Sequence, residues 1–455
     1  MILSFSITTL CPKIPMNTNI ESNENIQAEY ESAHDFLYGF IDYERGSDWK
    51  YNDEHFNLGR VYSLLESIGN PHKKGRFIHI TGTNGKGSVA SLVASSLSKS
   101  GYKTGLYTSP HLLTFRERIQ IDGRMISKSE VVHEVNKIKS ATEHIEGLTF
   151  FDVWTVLALN YFAGSATDIS VIEVGLGGRL DSTNVIVPDV SVFTSISMDH
   201  RGKLGDTVEK IALEKSGIIK PGVPVVSSPQ TDGVMKVLRE KAQTCGSDFM
   251  ESGTDTALTL GDSSIHYSGI SWEMDGITIP FEGDFQRENT SVALGILEKL
   301  SVKLTKITPE NAVSGIADVS WPGRLQTLAT DPRIIIDGAS NIGAMTVVSE
   351  YLRKSRPSGN IVALFGICGD KDTEMLVGIL RTAVSHFVFT RADNPRSLFA
   401  DELMRLYGDD KTDIYEADSI AALKKAASLA GPNGIVIVTG SLYLVGEIYK
   451  LYKSE

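Results

Sequence analysis

The stretch Arg76-Phe-Ile-His-Ile-Thr-Gly-Thr-Asn-Gly-Lys-Gly-Ser88 decides the fold of this chain. A short apolar run leads into a loop with three glycines in six residues, and a helical pattern follows. Glycines at positions 82, 85 and 87 allow positive φ angles and let backbone N–H groups approach an anion. A helix that begins near Ser88 would add the positive end of its dipole. The order of strand, loop and helix therefore predicts a phosphate-binding site.

Two side chains of this loop suit the same purpose. Lys86 can reach terminal phosphates, and the hydroxyl of Ser88 can ligate Mg²⁺. The spacing differs from the ordinary Walker A pattern because Ile80 occupies the place of its first glycine. A glycine-rich turn with an incidental lysine is the alternative interpretation. Because strand, lysine, hydroxyl and helix occur in the required order, the pattern favours a variant phosphate loop.

Length and composition indicate a protein of two domains. The chain has 455 residues, of which 41% are hydrophobic and 22% charged, so it can bury ordinary cores. Its net charge of −12 argues against binding to nucleic acid through phosphate neutralisation. The three cysteines, at positions 11, 245 and 368, have no ligand or disulfide spacing, which fits a reducing compartment.

The sequence has no segment typical of membrane insertion or secretion. No apolar run approaches the ~18 residues that span a bilayer. Met1–Cys11 is mildly apolar but lacks a basic start, so a signal peptide is not expected. Two prolines and a polar run then predict a disordered tail over residues 1–25, with Met16 as an alternative start. We expect a soluble, cytoplasmic protein without a membrane partner.

Strands and helices alternate after the tail. Apolar and aromatic residues predict helices over Ser32–Ile41 and Leu58–Ile68. Beyond the phosphate loop, apolar residues at helical spacing precede a strand over Thr104–Tyr107, which completes a βαβ unit. Further strands that are apolar on both faces, as in a helix-covered parallel sheet, are predicted over Ile169–Val174, Val190–Ser197 and Val223–Ser227.

The second half of the chain repeats this alternation. A small antiparallel insert is predicted over Leu258–Pro280 and a helix over Asn289–Leu300. The pattern predicts four more strands, over Arg333–Asp337, Ile361–Phe365, His386–Thr390 and Ile435–Thr439. Helical patterns separate them, around Val347, Leu376, Leu403 and Ala422. We therefore expect an α/β protein. A P-loop-containing, doubly wound, mainly parallel sheet domain over residues 26–320 precedes a smaller Rossmann-like α/β domain over residues 321–455.

A carboxylate interrupts one apolar strand at Glu173, near the C-terminal end, where α/β proteins bind ligands. A buried carboxylate is costly unless it is paired or ligates a metal. An ion pair with Arg179 or Lys86 is the alternative, but a phosphate loop that needs Mg²⁺ favours metal ligation. Glycines at 175, 177 and 178 would let the backbone approach a substrate, while Asp181 and Asn184 could position this loop.

Two further polar positions follow along the chain. The strand expected from Val190 leads into Asp199 and His200, and we interpret His200 as a metal or phosphate contact at the same edge of the sheet. Lys215 is expected at the end of a helix. A solvated surface lysine is its ordinary interpretation.

Together these stretches resemble the folylpolyglutamate synthase/dihydrofolate synthase family, which belongs to the Mur-type ATP-dependent amide ligases. The similar segments occur in order from about residue 33 to the C-terminus and cover both expected domains. They are Thr81–Ser88, Tyr107–Leu112, Glu117-Arg118, Thr149–Phe151, Ile172–Asn184, Asp199-His200, Lys215–Lys220, Gln286, Asn289, Pro322–Arg324, Asp337–Ala339, Asn341, Asp370–Asp372 and Thr439–Glu447.

The resemblance implies nucleotide, metal and substrate sites. ATP would be bound by Thr83, Asn84, Gly85, Lys86, Gly87, Ser88, Asn289, Arg324 and Asp337. Mg²⁺ would be held by Ser88 and Glu173, and a second ion by His200 and by Lys215, whose counterpart in the family is carbamylated. Catalysis would involve Lys86, His200, Lys215 and Arg324. Substrates would meet Ser109, Pro110 and His111 beside the pterin pocket, and Ser340 and Ser441 beside the incoming glutamate.

Three positions depart from the family pattern. Ser340 replaces a histidine that lies near the reacting carboxyl group, and Ile342 replaces a proline, which bears on the handling of the amino acid. Asp152 replaces a glutamate that usually follows the Phe-Phe pair.

The implied activity is that of an ATP-dependent acid–amino-acid ligase. It would add L-glutamate to a carboxylate of folate or dihydropteroate through an acyl phosphate, as a monomer with small-molecule partners. Pro110-His111-Leu112 resembles bifunctional members, which favours an enzyme that also accepts dihydropteroate. The alternatives are another Mur-type ligase, acting on a cell-wall or cyanophycin-like precursor, and a P-loop kinase or nucleotide-binding module that forms no amide.

Overall fold

The computed structural model describes residues 24–42, 51–52, 55–199, 203–261 and 264–453. These residues form two compact units. The N-terminal unit comprises Glu24–Pro280 and Asp284–Trp321, and the C-terminal unit comprises Phe281–Gly283 and the residues from Pro322 onward. The tail predicted over residues 1–25 lies outside the described residues except at its last two positions, which are helical. His200 also lies outside them.

The N-terminal unit contains helices and strands in alternation. Its helices are α1 (Glu24–Tyr38), α2 (Leu58–Ser67), α3 (Lys86–Lys99), α4 (Lys128–Thr142), α5 (Phe150–Gly164), α6 (Val208–Lys215), α7 (Asp232–Thr244), α8 (Asp284–Ser301) and α9 (Pro309–Ala317). Its strands are β1 (Phe77–Thr81), β2 (Thr104–Tyr107), β3 (Ile119–Ile121), β4 (Arg124–Met125), β5 (Ile169–Glu173), β6 (Val190–Phe193), β7 (Val225–Ser227), β8 (Phe249–Glu251), β9 (Ala257–Leu260), β10 (Ile265–Ser268) and β11 (Glu273–Met274).

Within the described ranges, eight of these strands form one sheet in the order β4-β3-β2-β5-β1-β6-β7-β8. The six strands from β2 to β8 in this order run parallel, and β3 and β4 add an antiparallel edge. Every residue of β1 and β5 is buried, which explains why both strands are mostly apolar. The predicted α/β class with a doubly wound, mainly parallel sheet is confirmed.

Several element bounds differ from the prediction. Helix α1 ends at Tyr38 rather than Ile41, because Gly39 follows and Ile41 instead pairs with Thr149 in an isolated bridge. Strand β6 ends at Phe193 rather than Ser197, since the next residues leave the sheet to bond the phosphate loop. The antiparallel insert is present as the three-stranded sheet β11-β10-β9.

Aromatic side chains build a large part of the core on one side of this unit. Phe115 and Trp154 pack edge to face with ring centroids 4.9 Å apart, and Tyr38 stacks on Phe150 at 5.0 Å. Trp154 lies on α5, a helix whose faces are mostly buried, so its hydrophobic residues surround its whole circumference. The core therefore fixes the helix that stands beside the predicted substrate loop.

Asp152, the departure from the family pattern after Phe-Phe, lies in the first turn of this same helix. Its carboxylate accepts a hydrogen bond from the Thr149 N–H at 2.9 Å, while its own N–H donates to the Thr149 hydroxyl at 3.1 Å. This reciprocal pair is a capping box, and the hydroxyl of Ser182 donates to the other carboxylate oxygen at 2.5 Å. The shorter carboxylate thus caps α5 and ties it to the loop after Glu173.

The C-terminal unit is a second α/β sheet. Its strands are β12 (Gln326–Thr330), β13 (Arg333–Ile336), β14 (Ile361–Phe365), β15 (His386–Phe389), β16 (Ile414–Tyr415) and β17 (Ile435–Thr439). Its helices are α10 (Ile342–Ser355), α11 (Thr373–Arg381), α12 (Ala400–Tyr407), α13 (Ser419–Ala430) and α14 (Leu442–Lys453). The described strands of this sheet have the order β12-β13-β17-β14-β15-β16, in which β12 is antiparallel to β13 and the other neighbours are parallel.

The short segment Phe281–Gly283 is part of this unit, and the side chain of Glu282 bonds it to the rest of the unit. The carboxylate of Glu282 accepts hydrogen bonds from Arg333 and Tyr351, and from Thr327 at 3.1 Å. The pKa of Glu282 is therefore lowered by these partners in spite of its partial burial. Among the described helices of both units, none is long and apolar enough to cross a membrane.

Candidate active site

The phosphate loop joins β1 to α3, and its glycines are required by their surroundings. Gly82 has φ 152°, and a Cβ there would lie 1.9 Å from the hydroxyl oxygen of Thr194. Gly85 has φ 88°, and a Cβ there would lie 2.4 Å from the amide oxygen of Asn289. No other residue fits either position without displacing a neighbour. Helix α3 begins at Lys86, two residues before the predicted start near Ser88.

The segment that follows β6 holds this loop in place. The N–H groups of Thr83 and Asn84 both donate to the carbonyl oxygen of Ser195, at 2.8 and 3.2 Å. The Thr83 hydroxyl donates to the carbonyl oxygen of Ser197 and accepts from its N–H, both at 3.1 Å. These paired bonds fix the loop backbone before any ligand binds, so little ordering cost is left for the phosphate.

The N-terminus of α3 is suited to an anion. Its N-cap is Gly85, which makes no side-chain capping bond within the described part of the chain. The first N–H groups of a helix have no partner inside the helix, so these donors and the helix dipole point toward a ligand position. Ser88 is 2% exposed, and Gln286 donates to its hydroxyl at 3.4 Å. Asn289 in turn donates to Gln286 at 2.9 Å.

A cavity lies at the carboxyl ends of β1 and β5, where a parallel sheet binds its ligands. Lys86 and Lys215 both line it. The other lining residues are Gly82, Thr83, Val174, Gly175, Leu176, Gly177, Asp199, Leu204 and Ile211. The structure therefore brings together the phosphate loop, the glycine loop after Glu173 and the end of α6.

Lys215 is the last residue of α6 and is buried, with 4% of its surface exposed. Its ammonium nitrogen donates to the carbonyl oxygen of Gly82 at 2.7 Å. The pKa of Lys215 is lowered to about 7 by burial and, to a smaller extent, by the charge of Lys86, while Asp199 and Asp181 act in the opposite direction. The interpretation of Lys215 as a solvated surface lysine is wrong. Only the family resemblance could have indicated its burial, because a single lysine at a helix end carries no signal.

Glu173 is the last residue of β5 and is 4% exposed. One of its carboxylate oxygens accepts from the N–H of Ser109 at 3.2 Å, which brings the predicted substrate loop to this edge. Arg179, one of the two alternative ion-pair partners, binds Glu214 at 3.1 Å. The peptide bond between Ser109 and Pro110 is cis.

The oxygen atoms of Ser88 and Glu173 at this edge of the sheet suit Mg²⁺, which needs few protein ligands. In the part of the chain that the structure describes, no group of three His, Cys, Asp or Glu side chains could hold a metal ion. Mg²⁺ commonly takes one or two protein oxygens and completes its shell with phosphate oxygens and water. The Ser88 hydroxyl and the Glu173 carboxylate are oxygen donors of this kind.

A buried hydrogen-bonded chain braces the glycine loop after Glu173. Asp181 accepts from the N–H of Leu176 at 2.8 Å and from the N–H and hydroxyl of Thr183. The Thr183 hydroxyl also lies 2.8 Å from Nε2 of His79 on β1. Burial raises the pKa of Asp181 to about 6 and lowers that of His79 to about 3. Asn184 donates to carbonyl oxygens of the same region.

Sequence reasoning missed two members of this brace, His79 and Thr183. The signal for His79 was available, since it is the one ionisable residue in the apolar run of β1. Thr183 gives no comparable signal, because a threonine in a polar loop has many ordinary roles. A third missed residue is Tyr51, whose hydroxyl accepts from the N–H of Leu180 at 3.2 Å.

The loop after β2 is shaped by two charged residues. The carboxylate of Glu117 accepts three consecutive N–H groups, those of residues 112, 113 and 114, at 2.7 to 2.9 Å. Arg118 is 2% exposed and donates to Nδ1 of His111 at 3.0 Å. Pro110 and His111 are therefore held on a fixed backbone beside Glu173.

Within the C-terminal unit, Asp337 is buried and accepts from the N–H groups of Leu325 and Ala339 at 2.9 and 2.8 Å. Burial raises the pKa of Asp337, and the charge of Arg324 opposes that rise. The Arg324 side chain lies against Gly338, where a Cβ would come within 2.7 Å of it.

The two serines of the predicted glutamate site lie in the same unit. Ser441 is buried, and its hydroxyl accepts from the N–H of Tyr443 at 3.1 Å. Ser340 is half-buried next to Asn341, which caps α10.

Comparison with known proteins identifies the family. The Mur ligase middle domain family matches residues 80–297, and the family described as Mur ligase, glutamate ligase domain, matches residues 323–442. Folylpolyglutamate synthase of Lacticaseibacillus casei is 34% identical over 407 residues, which cover 86% of this chain and 92% of that protein. The chain belongs to the folylpolyglutamate synthase/dihydrofolate synthase family of Mur ligases.

Other members of this family agree with the assignment. Dihydrofolate synthase/folylpolyglutamate synthase of Bacillus subtilis is 33% identical over 438 residues, covering 91% of this chain and all of the relative. The structure of Mycobacterium tuberculosis folylpolyglutamate synthase complexed with ADP and AMPPCP superposes with a TM-score of 0.84 at 27% identity, covering 94% of this chain and 99% of that one. The resemblance inferred from sequence is confirmed.

In this folylpolyglutamate synthase/dihydrofolate synthase family member, most of the predicted site residues fall into three groups. Residues 83–88 belong to the phosphate loop and the start of α3, and Lys215 and Asn289 lie against Gly82 and Gly85 of this loop. Glu173 meets Ser109 at the neighbouring strand end. Arg324 faces Asp337 within the C-terminal unit. The roles of these residues toward ATP, metal and substrates stay predictions.

Proposed function

We propose that this chain is an ATP-dependent ligase that adds L-glutamate to a carboxylate of folate or dihydropteroate. Membership of the folylpolyglutamate synthase/dihydrofolate synthase family supports this proposal. The structural observation that carries it is the cavity in which the phosphate loop, Lys86 and the buried Lys215 meet. A relative of the same fold binds ADP and AMPPCP, which supports ATP as the nucleotide here.

The reaction has two steps. Amide formation from a free carboxylate is uphill, so the substrate carboxylate first attacks the γ-phosphorus of ATP. A carboxyl O–P bond forms, the bond to the β-phosphate oxygen breaks, and ADP leaves. The amine of glutamate then attacks the acyl carbon, loses a proton, and releases inorganic phosphate as the C–O bond breaks.

The protein contributes charge and positioning to this chemistry. Lys86 and the first N–H groups of α3 would neutralise the phosphate oxygens, whose negative charge shifts during transfer. The bonds from residues 83 and 84 to Ser195 keep these donors fixed, so they need no reorganisation at the moment of reaction. Water has to be excluded, because it would hydrolyse the acyl phosphate.

Mg²⁺ would be held by Ser88 and Glu173, and when bound it supplies further neutralisation of the phosphate charge. Lys215 is proposed to be carbamylated. Its burial favours the neutral amine, and only a neutral amine reacts with CO₂. The product would place a carboxylate-like group beside Gly82 and the phosphate loop. His200 is proposed as a further metal contact by family resemblance alone.

We further propose that the chain acts as a monomer on small molecules in the cytoplasm. Cys245 and Cys368 are free thiols, which fits a reducing compartment. Ser109, Pro110 and His111 are proposed to border the pterin group, because the backbone of Ser109 touches Glu173 at the site edge.

One assay tests the proposal. ADP release is measured with dihydropteroate and then with tetrahydrofolate, each with and without L-glutamate. The masses of the products are determined by mass spectrometry. We expect ADP release that needs both the pterin acid and glutamate, and a product heavier by one glutamyl residue. Phosphorylation without amide formation, or ADP release that ignores glutamate, would instead support a kinase or nucleotide-binding module.

A further inference from the structure

Trp321, the last residue of the N-terminal unit, lies against the phosphate loop. A Cβ added to Gly87 would come within 3.0 Å of Cζ2 and 3.1 Å of Nε1 of its indole. Gly82 and Gly85 of the same loop have positive φ angles, but Gly87 does not. The close approach of the indole, and not the backbone conformation, is therefore the reason why position 87 has no room for a side chain.

Contacts between α3 and α9 fix the segment that carries Trp321. The two helices approach so closely that a Cβ on Gly315 would lie 2.3 Å from the Cα of Ser96. The hydroxyls of Ser95 and Ser96 donate to carbonyl oxygens of α9, at 2.6 and 2.9 Å. Helix α9 ends four residues before Trp321. The indole is thus held at the start of α3 by a short segment whose origin is anchored to the same helix.

The edge of the indole that carries its N–H group faces the start of α3. The three indole atoms nearest to a Cβ on Gly87 are Cζ2, Nε1 and Cε2, and all three belong to this edge. Gly87 is the second residue of α3, so its own N–H is one of the donors without a partner inside the helix. The indole N–H, which can only donate, makes no hydrogen bond to any residue that the structure describes. Donors from two distant parts of the chain therefore lie close together at the phosphate loop.

We propose that Trp321 is a further nucleotide-binding residue, whose indole N–H donates to a phosphate oxygen of the bound nucleotide. This inference rests on the function proposed above, in which the phosphate chain of ATP lies at this loop and supplies the acceptor. Lys86 would provide charge there, whereas Trp321 provides a directed donor without charge. The indole is rigid and already in place, so little conformational entropy is lost when it binds.

A packing role alone is the competing explanation. The indole would then only fill the space beside Gly87, and its replacement would change the stability of the protein without a specific effect on nucleotide affinity. Phenylalanine distinguishes the two explanations, because it keeps an aromatic ring at this position and removes the N–H. Loss of a hydrogen bond to a charged acceptor weakens binding by about tenfold or more.

The test compares the full-length wild-type protein with Trp321→Phe by calorimetric titration, with ADP and with inorganic tripolyphosphate, each in the presence of Mg²⁺. Both probes carry a phosphate chain, but only ADP carries a base and a ribose. We expect the Kd of each probe to rise by about tenfold in the variant. The KM for ATP should rise by a similar factor, while the KM values for the pterin acid and for glutamate stay unchanged. A rise for ADP alone would assign the indole to the base or the ribose and would overturn the phosphate contact.

A matched variant and a direct measurement complete the test. Trp272→Phe makes the same replacement in the turn between β10 and β11 and should leave both Kd values unchanged. In wild-type protein labelled at the indole nitrogens, the Trp321 N–H signal in the NMR spectrum should move when tripolyphosphate is added. That signal is the one absent from Trp321→Phe, or from Trp321→His if the first variant does not fold.

Unchanged Kd values in a folded Trp321→Phe, or an unmoved Trp321 signal, would overturn the inference. Failure of the proposed function would look different. The wild-type protein would then bind ADP, with Trp321 contributing as described, but would show no glutamate-dependent ADP release.

Discussion

The ammonium nitrogen of Lys215 lies 2.7 Å from the carbonyl oxygen of Gly82, the first residue of the phosphate loop. The end of α6 is thereby joined to the loop in a position from which solvent is excluded. Burial and the nearby charge of Lys86 lower the pKa of Lys215 to about 7, so a large fraction of this amine is neutral near neutral pH. Neutrality is the condition for reaction with CO₂.

We predict that Lys215→Ala is nearly inactive. Loss of the carbamate would remove a fixed negative group beside the phosphate loop, and the rate of ADP release should fall by about a hundredfold or more. A short carboxylic acid such as acetate should restore part of the activity, because it can occupy the space left by the side chain. Steady-state ADP release with and without acetate measures both effects.

Lys220→Ala is the matched control for this variant. Lys220 is half-buried and donates to the carbonyl oxygen of Asn184 at 3.0 Å, away from the cavity lining. It should keep most of its activity and gain nothing from acetate. Equal losses in the two variants, or no rescue of Lys215→Ala, would contradict the carbamate.

Lys86→Ala should abolish turnover without unfolding the protein. The Lys86 ammonium makes one hydrogen bond to the carbonyl oxygen of Thr83, at 3.3 Å, so its loss should change the free energy of unfolding by no more than about 1 kcal/mol. Because Lys86 would neutralise the transferred phosphate, kcat/KM should fall by about a thousandfold or more. Urea unfolding measures the stability of the variant, and ADP release measures its turnover. An active variant would show that Lys86 does not act in the nucleotide site.

The sequence was sufficient to predict the sheet but not the contacts around the cavity. The strands β1, β5, β14 and β17 are mostly apolar because both faces of their sheets are covered, and this pattern can be read from neighbouring residues. The burial of Lys215 depends instead on where α6 meets Gly82 in three dimensions. Such a contact leaves no periodic trace in the chain.

The bounds of β6 illustrate the same limit. Residues up to Ser197 are compatible with a strand, yet the strand ends at Phe193, because the carbonyl oxygens of Ser195 and Ser197 bond the phosphate loop. Likewise, the fit of Asn289 against Gly85 joins a helix and a loop that are far apart in sequence. Contacts with residues distant in sequence determine the end of β6 and the fit of Asn289 against Gly85, and local propensity does not predict such contacts.

Glu173→Gln should raise the requirement for Mg²⁺ while the fold stays intact. The amide oxygen of glutamine can still accept from the Ser109 N–H, but it carries no charge to attract a cation. We expect the Mg²⁺ concentration at half-maximal ADP release to rise by about ten- to a hundredfold. Glu209→Gln, at an exposed position on α6, serves as the control. An unaltered Mg²⁺ titration would assign Glu173 a structural role.

The last prediction concerns the stability of the protein in acid. His79 is fully buried on β1 beside Thr183, and burial lowers its pKa from 6.5 to about 3. Between these two values, the unfolded chain binds a proton at His79 and the folded protein does not. The free energy of unfolding therefore falls as the pH drops through this range.

From about pH 7 to about pH 5, His79 should account for a loss of about 2 kcal/mol in the free energy of unfolding. His79→Gln cannot bind this proton, so its stability should fall by about 2 kcal/mol less over the same interval, whatever its stability at neutral pH. Asp181, whose raised pKa of about 6 acts in the opposite direction, is present in both proteins. Urea unfolding at the two pH values measures the difference, with His144→Gln at an exposed position as the control. Equal falls in the wild type and in His79→Gln would show that His79 does not stay neutral in the folded protein.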